Sequence, residues 1–155
     1  MRRVALAVAA LFVSASLAYA DDIRAAMEKA NEQWLNAFNT PNAAAFPAQY
    51  TEDAVLIPQE IMGPVKGPQA IKEYWEGAIK AGFKNHTFQL LDTKESGNFA
   101  YQLASWTVDF VKDGKATPIA GHTMRIYEKQ SDGSWKTKLH MYRYPPAPTD
   151  KEAQN

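Results

Sequence analysis

The chain has 155 residues, of which 46% are hydrophobic, 22% charged and 12% aromatic. These values are typical of one globular domain and exclude a disordered, collagen-like or multi-span membrane chain. Basic and acidic residues number 17 each, so no basic excess is available to neutralise phosphates. Nucleic acid is therefore not expected as a partner.

The first 20 residues have the organisation of an export signal. Arg2 and Arg3 precede an apolar run over 4–17, and Ala18-Tyr19-Ala20 supplies the small residues of a cleavage site. The apolar run is shorter than the roughly 20 residues that span a bilayer, which disfavours an uncleaved anchor. We predict a signal peptide at 1–20, a domain at 21–144, a flexible tail at 145–155, and a periplasmic or secreted protein with no membrane attachment after cleavage.

Helical patterns occupy the first half of the remaining chain. Asp22 is suited to cap a first helix that continues to Asn39, since apolar residues recur there at steps of three and four. Asn42 is suited to open a short second helix, which Pro47 interrupts. A third helix with an apolar stripe ends at Gly82.

The second half is rich in strand patterns. A short strand is predicted over 54–58, and from His86 onward the apolar period changes from 3.6 to 2. Four long strands follow at about 86–95, 98–112, 117–129 and 134–144, separated by turn residues that favour hairpins. Helices followed by a meander of strands predict an α+β domain, with a curved antiparallel sheet covered on one face by three N-terminal helices.

Three local sequences add a family resemblance. They are Tyr50-Thr51-Glu52-Asp53-Ala54-Val55, Lys66-Gly67-Pro68-Gln69-Ala70-Ile71 and Asp132-Gly133-Ser134-Trp135-Lys136. With the order of elements, they resemble the nuclear transport factor 2-like superfamily, and within it the SnoaL-like branch related to polyketide cyclases and ketosteroid isomerases. The resemblance covers about 22–144 and implies a cone-shaped, cystatin-like α+β roll with a pocket between helices and sheet. This fold hosts enzymes and non-catalytic modules alike, so it does not decide function.

The resemblance also implies two positions for steroid isomerase chemistry. The general base of those enzymes falls five residues after Asp53, at Pro58, which cannot take a proton. Their carbonyl-polarising tyrosine falls at or next to Trp34, which donates a hydrogen bond but does not ionise. Both departures argue against that reaction. Gln59 and Glu60 are substitutes at the cavity mouth, unless they are ordinary exposed loop residues.

Two histidines are candidates for proton transfer. Alternation places His122 on one strand face with Met124 and Ile126. Because these two neighbours are apolar, we predict that His122 points inward. An inward histidine titrates near neutral pH and can move a proton, although a buried histidine satisfied by a neighbour is the alternative. The pair His122 and His140 also suits a metal, but no acidic third ligand stands at a diagnostic spacing, so no metal site is predicted.

The orientation of His140 is left open by the sequence. Strict alternation groups it with Lys136 and Lys138, which predicts the solvent face. In SnoaL-like relatives the position five after the tryptophan of this turn often lines the pocket, which requires a bulge after Trp135. If His122 and His140 both face the pocket, they form an acid and base pair.

A further strand face predicts a pocket wall. Gln102 and Trp106 alternate there with the small Ala100 and Ala104, which leave room beneath the indole. The aromatic residues Trp34, Tyr50, Tyr74, Trp75 and Trp106 are either simple core or part of the ligand cage.

These observations predict an exported homodimer, formed through its sheet, that binds a small apolar molecule without a cofactor. The catalytic candidates, for isomerase, dehydratase, cyclase or epoxide hydrolase chemistry, are His122 and His140, and the ligand-binding candidates are Trp34, Tyr50, Tyr74, Gln102, Trp106 and Met124. The alternative is a non-catalytic dimerisation or protein-binding module that exposes Thr107, Asp109, Thr123, Arg125 and Tyr127 on its outer sheet surface. A cavity of about 300 Å³ or more favours ligand binding, and a filled cone favours the module.

Overall fold

A computed structural model describes residues 4–40 and 42–145, with side chains from residue 22 onward. The helices are α1 (Val4–Asn39) and α2 (Pro68–Ala81), and the strands are β1 (Tyr50–Ile57), β2 (Val65–Lys66), β3 (Phe83–Ser96), β4 (Phe99–Lys112), β5 (Lys115–Lys129) and β6 (Trp135–Arg143). The predicted tail beyond residue 145 and the first three residues of the predicted signal peptide lie outside the described residues. Within the described part, no helix combines the length and the apolarity needed to cross a membrane.

The helices follow the sequence pattern with two differences. Asp22 lies inside α1 and does not cap it, because the helix is continuous from Val4. The predicted short helix is a pair of 3-10 turns at Ala43–Ala45 and Pro47–Gln49, since a proline lacks the N–H that would continue one helix into the next. Gly82 ends α2, as predicted, and it does so in the left-handed conformation with φ 111°.

The sheet has the strand order β2-β1-β6-β5-β4-β3. The four long strands are sequential antiparallel neighbours, as predicted. The short strand β2, which the sequence did not predict, pairs antiparallel with β1. At the other edge of β1 the pairing with β6 is parallel, so the sheet is mixed at this one junction. The α+β class with a curved, unclosed sheet is confirmed.

Helix α1 covers the concave face of the sheet. Its buried residues fall into two groups along its length: Trp34, Ala37 and Phe38 pack into the larger core, and Ile23 and Met27 into a smaller one. Register shifts in the β3–β4 and β5–β6 pairs mark bulges, which bend strands and increase their twist. The larger core therefore lies between α1, α2 and a bent sheet, where a cavity remains.

Strand β5 presents the opposite face from the one predicted. Gln102 is paired with Arg125 and Ala104 with Thr123, and residues directly opposite in a sheet point to the same face. Since Gln102 and Ala104 are buried, Arg125 and Thr123 are buried with them. The prediction that His122 points inward is wrong, because it alternates with these residues and is exposed on the outer face.

The same reversal corrects two further predictions. Met124 is 41% exposed on the outer face, so it does not line the cavity. Thr123, Arg125 and Tyr127 are buried, so they do not form the predicted outer interface surface. The apolar character of Met124 and Ile126 misled the prediction, because here the outer face carries apolar residues and the inner face carries polar ones.

Candidate functional site

An aromatic cavity of about 150 Å³ lies between α1, α2 and the concave face of the sheet. Its lining consists mainly of aromatic side chains, with a few polar groups: Trp34, Phe38, Glu60, Tyr74, Trp75, Ala78, Phe83, His86, Phe88, Trp106, Val108, Ile119, Thr123, His140, Tyr142 and Tyr144. The volume is below the roughly 300 Å³ typical of drug-sized pockets. It equals the engineered cavity of about 150 Å³ that binds benzene, so it accommodates a molecule of single-ring size.

Two other hollows have larger volumes. One, of about 360 Å³, lies between α1 and the β5–β6 hairpin and is lined largely by alanine and polar side chains. The other, of about 300 Å³, lies on the outer face of the sheet and includes His122 and Met124. We take the aromatic cavity as the candidate site because buried titratable groups and apolar walls converge there.

A hydrogen-bonded cluster centred on Tyr50 forms one wall of the site. The indole N–H groups of Trp34 and Trp75 donate to its hydroxyl oxygen at 3.1 and 3.2 Å. With both lone pairs occupied, the Tyr50 hydroxyl donates to Nδ1 of His140, at 3.1 Å. Burial raises the pKa of Tyr50, so its hydroxyl remains protonated and keeps this donor role. The cluster therefore fixes the ring of His140 at the cavity.

A bulge turns His140 inward. In β6 both Thr137 and His140 are buried, although they are three residues apart. The register with β5 shifts between them, so Lys138 and Leu139 together occupy the place of one residue. Simple alternation gave the wrong face for His140, and the bulge implied by the resemblance gave the correct one.

Two neutral histidines line the cavity. Burial, followed by the positive charge of Arg125, lowers the pKa of His86 to about 3. Burial, Arg125 and then His86 hold the pKa of His140 well below its usual value. At neutral pH both rings are uncharged. Protonating either ring is unfavourable because it would place a positive charge in a buried position near Arg125.

Arg125 is buried directly behind the cavity without an acidic partner among the described residues. It is 1% exposed, and its guanidinium carbon lies 5.0 Å from the ring centroid of Trp34 and 4.6 Å from that of Phe88. Its Nε lies 3.4 Å from Nε2 of His140. Because Nδ1 of His140 accepts from Tyr50, Nε2 carries the proton, so the Arg125 contact places two donors against each other and is not a hydrogen bond. The two aromatic faces are the main stabilisation of this charge, worth about 2 kcal/mol when desolvated.

A polar network holds the far side of Arg125. Gln102 donates to Oδ1 of Asn31 at 2.7 Å and accepts from the Tyr127 hydroxyl at 2.7 Å. Nη1 of Arg125 makes longer contacts to the same Asn31 oxygen and to Tyr127, at 3.4 and 3.3 Å. Nη2 of Arg125 and Nε1 of Trp106 are buried without a hydrogen-bond partner among the described side chains and backbone.

The cavity mouth carries a carboxylate. Glu60 accepts hydrogen bonds from the hydroxyls of Tyr74 and Tyr142, and these two hydroxyls also contact each other. Burial, followed by the hydrogen bond to Glu60 and the negative charge of that residue, raises the pKa of Tyr142, so the phenol stays protonated and donates. Glu60 belongs to an exposed loop and also lines the cavity.

The structure separates the predicted site residues into three groups. Trp34, Tyr74, Trp106 and His140 line the cavity, Tyr50 and Gln102 lie buried behind its lining, and His122 and Met124 lie on the outer face. His86, which the sequence reading passed over, lines the cavity, and Arg125, which it placed outside, is buried behind it. The pairing of Arg125 with Gln102 in neighbouring strands is the feature that indicates an inward Arg125. Within the described part of the chain, no group of three histidine, cysteine or carboxylate side chains is arranged to hold a metal ion.

The fold and the cavity define this chain as an α+β roll with an internal pocket. Comparison with protein families identifies the family of such domains to which it belongs. The profile of the SnoaL-like domain family matches residues 31–137. This chain belongs to that family. No curated protein sequence matches it significantly.

Solved structures support the same fold. A ketosteroid isomerase-like protein from Erwinia carotovora has a TM-score of 0.67 at 22% identity, covering 79% of this chain and 95% of that one. A nuclear transport factor 2-like superfamily protein from Salmonella enterica has a TM-score of 0.69 at 15% identity, covering 85% and 97%. A protein with a cystatin-like fold from Nostoc punctiforme has a TM-score of 0.64 at 12% identity, covering 80% and 92%. At these identities the likeness concerns the fold alone.

Proposed function

We propose that this chain binds a small, largely apolar molecule in the aromatic cavity. The observation that carries the proposal is a cavity of about 150 Å³ whose walls are mostly aromatic, with polar groups at the mouth, at the floor and at His86. Here the floor means Thr123 and His140. Apolar walls supply affinity and the few polar groups supply orientation, which is the usual division in small-molecule sites.

The binding proposal is tested with benzamide, a neutral single-ring molecule, by isothermal titration calorimetry. Ala78 of α2 lines the cavity, so Ala78→Phe fills it and should abolish binding. Ala81 lies in the same helix and is exposed, so Ala81→Phe adds the same ring outside the cavity and should leave binding unchanged. Equal affinity in both variants would place the ligand elsewhere.

Proton transfer is a second candidate activity, and Glu60 at the mouth is the observation that favours it. Its carboxylate is the acidic group in the described cavity lining, and the phenols of Tyr74 and Tyr142 hold it in place. A carboxylate so placed takes a proton from carbon beside a carbonyl and returns it from the same oxygen. This chemistry needs no cofactor.

Exchange of the methyl protons of acetophenone in deuterium oxide measures this activity. The expected result is acceleration by the protein and a loss of about 100-fold or more in Glu60→Gln. Glu76→Gln changes an acid of α2 that is paired with Lys72, outside the cavity lining, and serves as the control. No acceleration by the unaltered chain would leave binding as the function.

The outer face of the sheet supports the proposal of a homodimer. Leu103, Met124 and Met141 are direct neighbours across β4, β5 and β6, and they are 38%, 41% and 36% exposed. We call these three residues the outer apolar stripe. Such contiguous exposed apolar residues are typical of an interface.

Light scattering coupled to size-exclusion chromatography tests the dimer. Met124→Asp places a charge in the outer apolar stripe and should give a monomer. Gln89→Asp places the same charge on an exposed position of β3, outside the stripe, and should leave the dimer intact. A monomer of the unaltered chain at micromolar concentration would contradict the proposal.

Export is the remaining part of the proposed function, and the sequence of residues 1–20 supports it. Expression of the full chain in a bacterial host, followed by intact-mass measurement of the periplasmic fraction, should give a product beginning at Asp21. A product that retains Arg2 and Arg3 in the cytoplasm would exclude cleavage at this site.

A further inference from the structure

Three side chains that can bind a metal ion lie side by side on the outer face of the sheet. Met124 and Met141 are directly opposite each other in β5 and β6, and side chains paired in this way have Cβ atoms about 4.5–5.5 Å apart. His122 precedes Met124 by two residues, so it lies on the same face, roughly 6.6 Å along the strand. All three residues are exposed and line the hollow of about 300 Å³ on this face. The strand pairing thus brings one imidazole and two thioether groups to one place.

The composition of the chain singles out this group. Soft metal ions bind to the sulfur of cysteine or methionine, and the chain contains no cysteine. His122 is the exposed one of the three histidines, because the other two are buried. Among the described residues, the remaining methionines are Met27, which is buried in the smaller core, and Met62, which is fully exposed in the loop after β1. Met124 and Met141 are therefore the methionines that share a hollow with an exposed histidine.

The charges around the hollow favour a monovalent ion. None of the described residues that line it is acidic, and Arg143 of β6 is paired with His122. Imidazole and thioether ligands are neutral, so no group in the lining offsets the second charge of a divalent ion. Mg²⁺ and Ca²⁺ prefer oxygen ligands, and structural zinc sites use thiolates and imidazoles in fours. Thioethers select Cu(I), which is soft and carries a single charge.

We propose that His122, Met124 and Met141 form a binding site for Cu(I). One imidazole nitrogen and two thioether sulfurs coordinate the ion, and the apolar part of the hollow shields it from water on the side of the sheet. The site lies on the opposite face from the aromatic cavity, so it is independent of the ligand and of the proton transfer proposed there. Because it includes two residues of the outer apolar stripe, the test keeps these positions apolar.

Competition for Cu(I) between the purified chain and the chelator bathocuproine disulfonate tests the proposal, at pH 7 under nitrogen with a reductant. We expect one Cu(I) per chain. Met124→Leu and Met141→Leu each remove a sulfur at similar volume, and loss of a ligand should weaken binding by about 10-fold or more. His122→Gln should have an effect of the same size. Met62→Leu makes the same change at an exposed methionine outside the hollow lining and should leave the affinity unchanged.

Nuclear magnetic resonance with Ag(I), a soft monovalent ion that does not change oxidation state here, locates the site. One equivalent should shift the methyl signals of Met124 and Met141 and the ring signals of His122. The methyl signals of Met27 and Met62 should stay in place. Zn(II), which lacks an affinity for thioethers, should leave all four methyl signals unshifted.

Leucine preserves the outer apolar stripe, so a lost affinity in Met124→Leu or Met141→Leu is assigned to the sulfur and not to a change in association. An affinity that both of these variants retain would overturn the proposal. A loss in Met62→Leu as large as theirs would place the ion at the loop and would also overturn it. Zn(II) bound as tightly as Cu(I) would identify a site of the histidine alone, and an unaltered chain that takes no Cu(I) from the chelator has no such site.

Discussion

The Tyr50 hydroxyl oxygen lies 3.1 Å from Nδ1 of His140, and the same oxygen accepts from the indoles of Trp34 and Trp75. The hydroxyl of Tyr50 is thus the hydrogen-bond partner of three buried nitrogen atoms. Tyr50→Phe leaves two indole donors and one imidazole acceptor without partners in a buried site. We expect the free energy of unfolding to fall by about 2–4 kcal/mol, measured by urea denaturation.

Tyr101→Phe is the matched control for this change. Its hydroxyl donates to Asp92 on the exposed side of the sheet, where water replaces the lost partner. The loss should therefore be well below that of Tyr50→Phe. Equal losses in the two variants would show that the Tyr50 cluster is not a buried unit.

The sequence predicted the elements of this fold well, because local rules govern them. The end of α2 at Gly82 and the alternation of β4 follow from residue type alone, and both were predicted correctly. The β5 face was predicted wrongly because the rule that apolar residues point inward fails where the inner face carries Arg125. The inward position of this arginine depends on how β5 pairs with β4, and this register is a tertiary feature that local sequence rules do not give. The inward turn of His140 depends on a bulge that alternation does not encode.

Gly121 provides a second stability prediction. A Cβ at this position would lie 2.2 Å from the carbonyl oxygen of Arg143 and 2.6 Å from the Trp106 ring, so neither the backbone nor the indole can stay in place. We expect Gly121→Ala to lower the free energy of unfolding by about 1–3 kcal/mol, which is the usual cost of overpacking. Displacement of Trp106 should appear as a change in the near-ultraviolet circular dichroism.

Gly77→Ala is the control for the same chemical change. Gly77 lies inside α2, and a Cβ there meets no atom within 4 Å. Alanine favours a helix interior over glycine, so this variant should be more stable by about 0.5–1 kcal/mol. If Gly121→Ala were also stabilising, the close packing of the indole over β5 would be refuted.

The buried histidines predict a loss of stability in mild acid. His86 and His140 have folded pKa values below the ordinary 6.5, so the unfolded chain binds protons that the folded chain does not. Stability is therefore complete above about pH 6.5 and declines as the pH falls below it, towards about 3 for His86. Between pH 7 and 5 the expected decrease in the free energy of unfolding is about 2 kcal/mol for His86, and His140 adds a decrease of the same sign.

Urea denaturation at pH 7 and 5 measures this effect, since that interval lies above the ordinary range of the carboxylates. The double variant His86→Gln and His140→Gln should remove most of the pH dependence. His122→Gln, which changes an exposed histidine, should preserve it. A pH dependence that survives the double variant would assign it to other groups.

A final prediction concerns the charge of Arg125, which has no acidic partner among the described residues. Asn31 is the neighbouring position at which an introduced carboxylate would best balance this charge. Oδ1 of Asn31 lies 3.4 Å from Nη1 of Arg125 and already accepts from Gln102, so a carboxylate fits the same contacts. Asn31→Asp should raise the free energy of unfolding at pH 7 by about 1–3 kcal/mol. The pairing lowers the pKa of the new aspartate in the folded state, so the gain is present above about pH 4 and is lost as the pH falls through that lower value.

Asn36→Asp, at an exposed position of the same helix, introduces the same charge away from Arg125 and should give no such gain. Destabilisation by Asn31→Asp at pH 7 would show that the folded chain already compensates the charge of Arg125.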